Sequence, residues 1–238
     1  MGLPKLSNDK PIYELTVPST NQLVKYRPFL VKEQKAMLVA FESKDTKQIL
    51  NSILQCIENC VEGIDVKTLS TFDVDYIFTK VRAKSVGETS KILMACSACN
   101  EENEVNINLD NIKLTNAELK DNVIELNNDI AITMKYPTYF DMLKHGNLFK
   151  EDVSEAAVVF DNMKMCMHSV QTENENVLIK DETDEEIETF VNSLNNVQMQ
   201  KIMNFVEGLP NLVYEDTFEC KKCKKENIVK LQGLNDFF

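Results

Sequence analysis

Apolar residues recur with two different spacings along the chain, and the change from one to the other separates strand-like from helix-like segments. Residues 12–17 and 22–27 alternate between apolar and polar around the loop Pro-Ser-Thr-Asn, which predicts a β-hairpin at the start of the fold. The pattern then becomes helical over 28–44. A second helix, in which apolar residues recur every three or four positions, is predicted from Asp45 until Gly63.

A third helix is predicted after Ser70, because Ser70 and Asp73 form a start that resembles a capping box. Residues 89–95 then form a predicted strand, and several short strands with Asn and Asp turns are predicted between about 104 and 135. The next stretch is predicted to be mainly helical, with segments near 137–145, 152–171, 183–194 and 196–208. These elements together predict the α+β fold class, with a mainly helical C-terminal part.

Composition and charge argue against several classes of protein. The 238 residues suffice for one large domain or two small ones without disulfides. The net charge of −12 argues against a dominant role in nucleic-acid binding, because phosphate recognition needs clustered cations. We expect synthesis in a reducing cytoplasm and no membrane association. The cysteine count is odd, no signal segment opens the chain, and no apolar run is long enough to span a bilayer.

Two Cys-x-x-Cys units carry the strongest chemical signal, and each is followed by the same pattern of residues. They are Cys96-Ser-Ala-Cys99 and Cys220-Lys-Lys-Cys223. The residues at the same distances from the first cysteine are Asn103 and Asn227, then Val105 and Val229, then Ile107 and Leu231. A thiolate turn that leads into an alternating strand is typical of a zinc-ribbon knuckle. Because one turn supplies two of the four ligands that zinc requires, we predict one structural Zn²⁺ per chain.

The predicted site joins distant parts of the chain. Between Cys99 and Cys220 lie 120 residues, and closing such a loop costs roughly 4 kcal/mol of length-dependent entropy. Structural zinc contributes about 10–16 kcal/mol in small fingers, so zinc outweighs this cost if the intervening chain brings its ends together. A rubredoxin-like iron site and two thiol pairs without metal remain alternatives. A redox role is weaker, since neither unit opens a helix.

No catalytic constellation is present in the sequence. The six glycines are scattered singly, so no phosphate-binding loop can be assembled, and no paired carboxylates stand out. We therefore expect no enzyme activity and no cofactor other than the metal. A zinc-ribbon regulator that binds nucleic acid would rest on the lysines of 221–225 alone. The methionine-rich helices after residue 160 suit either core filling or an adaptable partner surface.

Three phrases of the chain resemble a known protein family. They are Val24-Lys25-Tyr26-Arg27-Pro28-Phe29-Leu30-Val31-Lys32-Glu33, Thr71-Phe72-Asp73-Val74-Asp75-Tyr76-Ile77-Phe78 and Arg82-Ala83-Lys84-Ser85-Val86-Gly87-Glu88. The family is that of tail baseplate proteins of T-even-type bacteriophages, and weaker similarity continues through Lys135-Tyr136-Pro137. The resemblance implies a baseplate hub subunit or a hub assembly factor, without enzyme activity and with other baseplate proteins as partners.

The sequence and the resemblance lead to one hypothesis. We expect a non-enzymatic structural part of the baseplate hub in the virion tail, made in the host cytoplasm and stapled by zinc at Cys96, Cys99, Cys220 and Cys223. A transient assembly factor is the alternative, and self-association is left open. Interface candidates are Arg82, Lys84 and Gly87. The predicted units are 1–88 (hairpin and helices), 89–136 with 211–238 (zinc ribbon) and 137–210 (helical).

Overall fold

A computed structural model describes residues 11–116, 122–144 and 154–233. The chain forms two compact units. The first comprises Met1–Val66, Phe72–Thr115 and Asn211–Phe238. The second comprises Lys67–Thr71 and Asn116–Pro210. The division of the chain at residues 88, 136 and 210 stays a prediction.

The described elements alternate between helices and antiparallel strands. The helices are α1 (Val31–Ser43), α2 (Thr46–Cys60), α3 (Thr71–Val86), α4 (Tyr139–Lys144), α5 (Glu155–Cys166), α6 (Asp184–Asn192) and α7 (Asn196–Glu207). The strands are β1 (Tyr13–Thr16), β2 (Leu23–Tyr26), β3 (Thr89–Ala95), β4 (Glu102–Asn108), β5 (Lys113–Leu114), β6 (Val123–Glu125), β7 (Ala131–Met134), β8 (Met167–Gln171), β9 (Asn176–Leu178), β10 (Leu212–Glu219) and β11 (Glu226–Gln232). Among these described helices, none is both long and apolar enough to cross a membrane.

The N-terminal hairpin and the helices that follow it confirm the sequence prediction. Strands β1 and β2 pair antiparallel, with Leu15 opposite Val24. Both of these side chains are buried. Helix α2 begins where expected, because the Asp45 carboxylate accepts the backbone N–H groups of Lys47 and Gln48. Its apolar face is buried from Leu50 onward, as its three-and-four spacing predicts.

The strands that flank the two cysteine pairs form two hairpins in the first unit. Strand β3 pairs with β4, and β10 pairs with β11 on one side and with β5 on the other. The inward residues of these strands pack with residues of α3 and of the segment after β4 in one core. Its buried members are Ala83, Val105, Ile107, Leu109, Ile112, Leu212, Tyr214, Val229 and Leu231. Alternating burial along β4 and β11 is what the period-two pattern after each cysteine pair predicts.

The chain leaves and re-enters the first unit at neighbouring positions. The Thr115 N–H donates to the Asn211 carbonyl over 2.9 Å, and the Asn211 N–H donates to Thr115 Oγ1 over 3.2 Å. Next to them, Leu114 of β5 lies opposite Leu212 of β10. The residues between these points, which belong to the second unit, therefore form an insertion whose two ends meet. Such a meeting of ends is the condition that a metal site shared between distant cysteines requires.

The second unit corrects the prediction of a mainly helical C-terminal part. A single helix was expected over 152–171, but α5 ends at Cys166 and β8 follows at once. Strands β6, β7, β8 and β9 form a four-stranded antiparallel sheet. Counting β10 and β11, four described strands lie in the last third of the chain. The ends of the predicted helices that fall on residues 145, 152 and 153 lie outside the described residues.

Cross-strand pairing explains why β8 forms in place of a longer helix. Met167 and Ser169 are buried and His168 between them is exposed, which is the alternation of a strand. Val170 lies opposite Ile132 of β7 and Val177 of β9, so β8 is the centre of a sheet rather than the end of a helix. The core of this unit contains Leu126, Ile132, Met134, Met163, Cys166, Met167, Val191, Ile202 and Phe205. Tertiary contacts thus override a local pattern that suited both structures.

Candidate metal centre

The first Cys-x-x-Cys unit lies in the turn between β3 and β4. The Cys96 N–H donates to the Glu101 carbonyl over 2.9 Å, and the Asn100 N–H donates to the Cys96 carbonyl over 2.9 Å. Asn100 adopts a positive φ of 54°, a conformation that Asn tolerates better than most residues. The backbone therefore closes this turn by its own hydrogen bonds.

The turn that contains Cys220 and Cys223 has the same backbone hydrogen bonds as the first turn. The Cys220 N–H donates to the Lys225 carbonyl over 2.9 Å, and the Lys224 N–H donates to the Cys220 carbonyl over 3.0 Å. Lys224 has a φ of 62° and occupies the position that Asn100 has in the first turn. Identical turns explain why the residues after the two cysteine pairs share the same spacing.

All four cysteine sulfurs come together, as the sequence predicts, and lie within 4.8 Å of one another. Cys96 Sγ is 3.6 Å from Cys223 Sγ, and Cys99 Sγ is 3.7 Å from Cys220 Sγ. Zn–S bonds of about 2.3 Å in a tetrahedron place the sulfurs about 3.8 Å apart, whereas a disulfide requires about 2.05 Å. The separations therefore fit a four-coordinate metal ion and exclude disulfide bonds in this structure. Cys96 and Cys220 are fully buried.

Two asparagines connect the hairpins crosswise. Asn103, which follows the first cysteine pair, accepts the Lys221 N–H of the second turn over 2.9 Å. Asn227, which follows the second pair, accepts the Ser97 N–H of the first turn over 2.9 Å. The amide nitrogens lie 3.8 Å from Cys220 Sγ and 3.6 Å from Cys96 Sγ, respectively. Each asparagine thus holds the opposite turn and donates to a sulfur of it.

The sequence alone does not predict the role of these asparagines. The available signal was that each lies at the same distance from the first cysteine of its pair. Asn103 and Asn227 are 4% and 6% exposed, which is unusual for an amide side chain without a specific role. Donors to the sulfur of a metal ligand orient it and stabilise its negative charge. The two residues are therefore part of the candidate site.

Removing one of these donors is expected to weaken metal binding without preventing folding. We predict that Asn227→Ala lowers the affinity for Zn²⁺ about 10–100-fold, the usual effect of losing a group that supports a ligand. Competition with a chromophoric chelator measures this change. Asn106→Ala, at an exposed position of β4, is the matched control and should bind like the wild type. Equal affinities of the Asn227 and Asn106 variants would contradict the assigned role.

Backbone donors favour ionised sulfur at two of the cysteines. The Ala98 N–H, which lies 3.4 Å from Cys96 Sγ, is the main reason that the pKa of Cys96 falls to about 6. The Cys223 N–H is the main reason that the pKa of Cys220 is lowered, against the effect of burial. Thiolate is the form of cysteine that binds metal.

Cys99 shows the cost of bringing four thiols together without a cation. The Glu101 N–H lowers its pKa, but burial and the neighbouring thiols outweigh that donor and raise the pKa to about 12. Adjacent groups that would all be negative cannot all ionise alone, whereas a divalent cation compensates their charge. The donor set therefore fits a soft or borderline divalent metal ion.

The lysines of the second turn are paired with carboxylates. Glu101 lies 3.5 Å from Lys221 Nζ and 3.1 Å from Lys222 Nζ, and Glu219 lies 3.2 Å from Lys224 Nζ. All three lysine side chains are more than 60% exposed, so these pairs contribute little to stability. The two carboxylates offset part of the positive charge of the cluster on which a nucleic-acid-binding role would rest.

The interface candidates lie at the end of α3. Lys84 contacts the carboxylates of Glu88 and Asp110, the latter over 3.7 Å. Gly87 has a φ of 131°, which favours glycine as the chain leaves the helix. Arg82 is half-buried, and burial lowers its pKa. Lys84 thus forms ion pairs within its own chain, and the interface role of all three residues stays a prediction.

The other cysteines of the described chain lie apart from this centre. Cys56, Cys60 and Cys166 are buried, and burial raises the pKa of Cys166 to about 12. Within the residues that the structure describes, only the four-sulfur cluster places at least three Cys, His, Asp or Glu side chains around one point. The burial of these three thiols is that of small core residues.

Comparison with known proteins gives one match. A family model described as T4 bacteriophage base plate protein matches residues 10–238. Neither the curated proteins nor the solved structures contain a match to the chain.

Proposed function

We propose, from the premise that this chain belongs to the T4 bacteriophage base plate protein family, that it is a non-enzymatic structural component of the baseplate hub whose fold is stapled by zinc. Membership of this family supports a virion tail component that interacts with other baseplate proteins. The hub location, the zinc and the permanent structural role are our inference. The observation that carries it is the closed cluster of four cysteines within a chain that the family model spans almost completely.

Zinc suits this cluster because four sulfur ligands complete a tetrahedron. Cys96, Cys99, Cys220 and Cys223 would hold the ion, and no coordination position would remain for water or substrate. Such a site supplies folding free energy and fixed geometry rather than catalysis. This property supports a structural role.

Fixed geometry matters in an assembly with several partners. The two halves of the candidate site belong to hairpins that are far apart in sequence, and the metal would hold them in one arrangement. A protein whose surfaces are already ordered pays less entropy when each partner binds. A zinc-stapled unit can therefore meet several neighbours in register.

The alternative is an assembly factor that binds a hub component and then leaves. In the sequence, this alternative rests on a group of methionines, which could form an adaptable partner surface. Met163, Met165 and Met167 are all at most 3% exposed, so they fill a core instead. This burial favours the permanent structural component.

Quantitative mass spectrometry of purified phage particles distinguishes the two roles. A permanent component is expected in a fixed number per particle, at a ratio to known baseplate proteins that stays constant through purification. Presence in infected-cell extracts but absence from particles would overturn the structural proposal and support the assembly factor. Complementation with the Cys220→Ser variant should yield particles without the chain if the zinc-stapled fold is required for incorporation.

A further inference from the structure

Strand β11 is an edge strand whose exposed face has a self-complementary sequence. Within the described ranges 11–116, 122–144 and 154–233, β11 pairs with β10 alone. Its side chains alternate, with Glu226, Ile228 and Lys230 exposed and the residues between them buried. Ile228 is 76% exposed, although isoleucine is among the residue types most often buried.

The backbone of the same three residues faces the open edge. The turn before β11 closes with a hydrogen bond from the Cys220 N–H to the Lys225 carbonyl. Hydrogen-bonded pairs in an antiparallel ladder alternate with non-hydrogen-bonded pairs. Counting from this turn, Val229 exchanges hydrogen bonds with β10, whereas Ile228 lies opposite Thr217 in a non-hydrogen-bonded pair. The N–H and C=O groups of Glu226, Ile228 and Lys230 therefore point away from β10.

The outward N–H and C=O groups of β11 can form hydrogen bonds with a second copy of the same strand. When two β11 strands run antiparallel with Ile228 opposite Ile228, each Glu226 lies opposite a Lys230 of the other copy. All three pairs then use outward backbone groups, and each pair can exchange two hydrogen bonds. The two isoleucines are brought together, and a glutamate–lysine pair flanks them on each side. Shifting the strands by two residues in either direction places Ile228 opposite a charged residue and breaks both ion pairs.

In the hairpin of β3 and β4, neither strand has a self-complementary order of charges. On β3 the residues in non-hydrogen-bonded pairs with β4 are Thr89, Lys91, Leu93 and Ala95, and these include no acidic residue. On β4 the corresponding residues are Glu102, Glu104, Asn106 and Asn108, and these include no basic residue. Neither strand can form ion pairs with a second copy of itself. A lysine on an edge usually opposes strand addition. Lys230, whose Nζ lies 3.8 Å from Glu215 Oε1 of β10, would also face a carboxylate of the second copy at the symmetry-related position.

We propose that the protein self-associates through β11, with two copies of this strand pairing antiparallel about Ile228. The pairing joins the sheet of β5, β10 and β11 to its counterpart and produces one six-stranded sheet across the dimer. Main-chain hydrogen bonds between the two strands provide affinity, and the order of glutamate, isoleucine and lysine sets the register.

Sedimentation velocity of the full chain over a concentration series measures the dimerisation. The proposal is tested by exchanging the charges at positions 226 and 230. Glu226→Lys or Lys230→Glu alone changes both symmetry-related ion pairs into like-charge pairs, and each should weaken the dimer about tenfold or more. The double variant Glu226→Lys/Lys230→Glu restores opposite charges and should recover most of the association. A wild type that stays monomeric at all accessible concentrations would overturn the proposal, as would a dimer that the single changes leave intact or that the double change does not restore.

Two further variants locate the contact. Ile228→Lys should abolish the dimer, whereas Leu93→Lys, which changes a residue of 70% exposure on β3, should not. Ile228→Cys should form an intermolecular disulfide under mild oxidation, because the Cα atoms of a hydrogen-bonded pair lie about 5.5 Å apart. Wild type and Leu93→Cys serve as controls for the native thiols. Unchanged zinc content and an unchanged circular dichroism spectrum in each variant separate a lost dimer from a lost fold, since loss of the dimer by itself lowers the melting temperature. A dimer that depends on Leu93 rather than Ile228 would refute this interface.

Discussion

Replacement of Cys220 by serine is expected to abolish metal binding and to lower the melting temperature by about 10 °C or more. Cys220 is fully buried and its sulfur lies 3.7 Å from that of Cys99. The serine hydroxyl is a poor ligand for zinc at neutral pH, so the site is left with three thiols and no closed tetrahedron. Elemental mass spectrometry of the purified protein, together with calorimetry, should show one zinc per chain in the wild type and none in the variant.

A serine introduced elsewhere in the same knuckles is the appropriate control. Ala98→Ser changes an exposed residue between the two cysteines of the first turn and leaves all four sulfurs in place. This variant should retain one zinc per chain and melt close to the wild type. Equal zinc content in the Cys220 and Ala98 variants, or iron in place of zinc in the wild type, would contradict the zinc staple.

Replacement of Ile132 by alanine is expected to lower the free energy of unfolding of the second unit by about 2–5 kcal/mol. Ile132 is fully buried at the centre of the four-stranded sheet, opposite Ile124 of β6 and Val170 of β8. The truncation leaves a cavity that close-packed strands cannot fill by relaxation. Denaturant unfolding followed by hydrogen exchange measures the loss and assigns it to the second unit.

The zinc content of this variant is expected to stay at one per chain, since all four sulfurs belong to the first unit. Val197→Ala provides the matched control. Val197 is 69% exposed on α7, so its truncation should change stability by less than about 0.5 kcal/mol. Similar destabilisation by the two changes would show that Ile132 does not lie in a packed core.

Patterns that a short segment determines by itself could be predicted from the sequence. The N-terminal hairpin was marked by alternation around a turn, and α2 by a capping aspartate and a clear apolar stripe. The convergence of the cysteines was predictable because ligand chemistry demands four sulfurs and the chain offers two pairs. In each case the structure depends on neighbouring residues or on the chemistry of one distinctive side chain, and both can be recognised in the sequence.

Features that depend on distant partners could not be predicted in this way. The segment of β8 has only five residues, and its pairing with β7 and β9 decides that it is a strand. The crosswise bonds of Asn103 and Asn227 are visible as equal spacings, but their direction depends on how the two hairpins meet. Local sequence contains no information about which turn each amide reaches.

The insertion of the second unit between the two cysteine pairs also has a consequence for synthesis on the ribosome. The first pair emerges 120 residues before the second begins, which corresponds to roughly 6–24 s at about 5–20 residues per second. During this interval the inserted chain can fold completely, whereas the metal centre cannot close until β10 and the last turn have been made. Closure of the metal centre would thus follow translation of the second cysteine pair, and a product truncated before Cys220 could not assemble it.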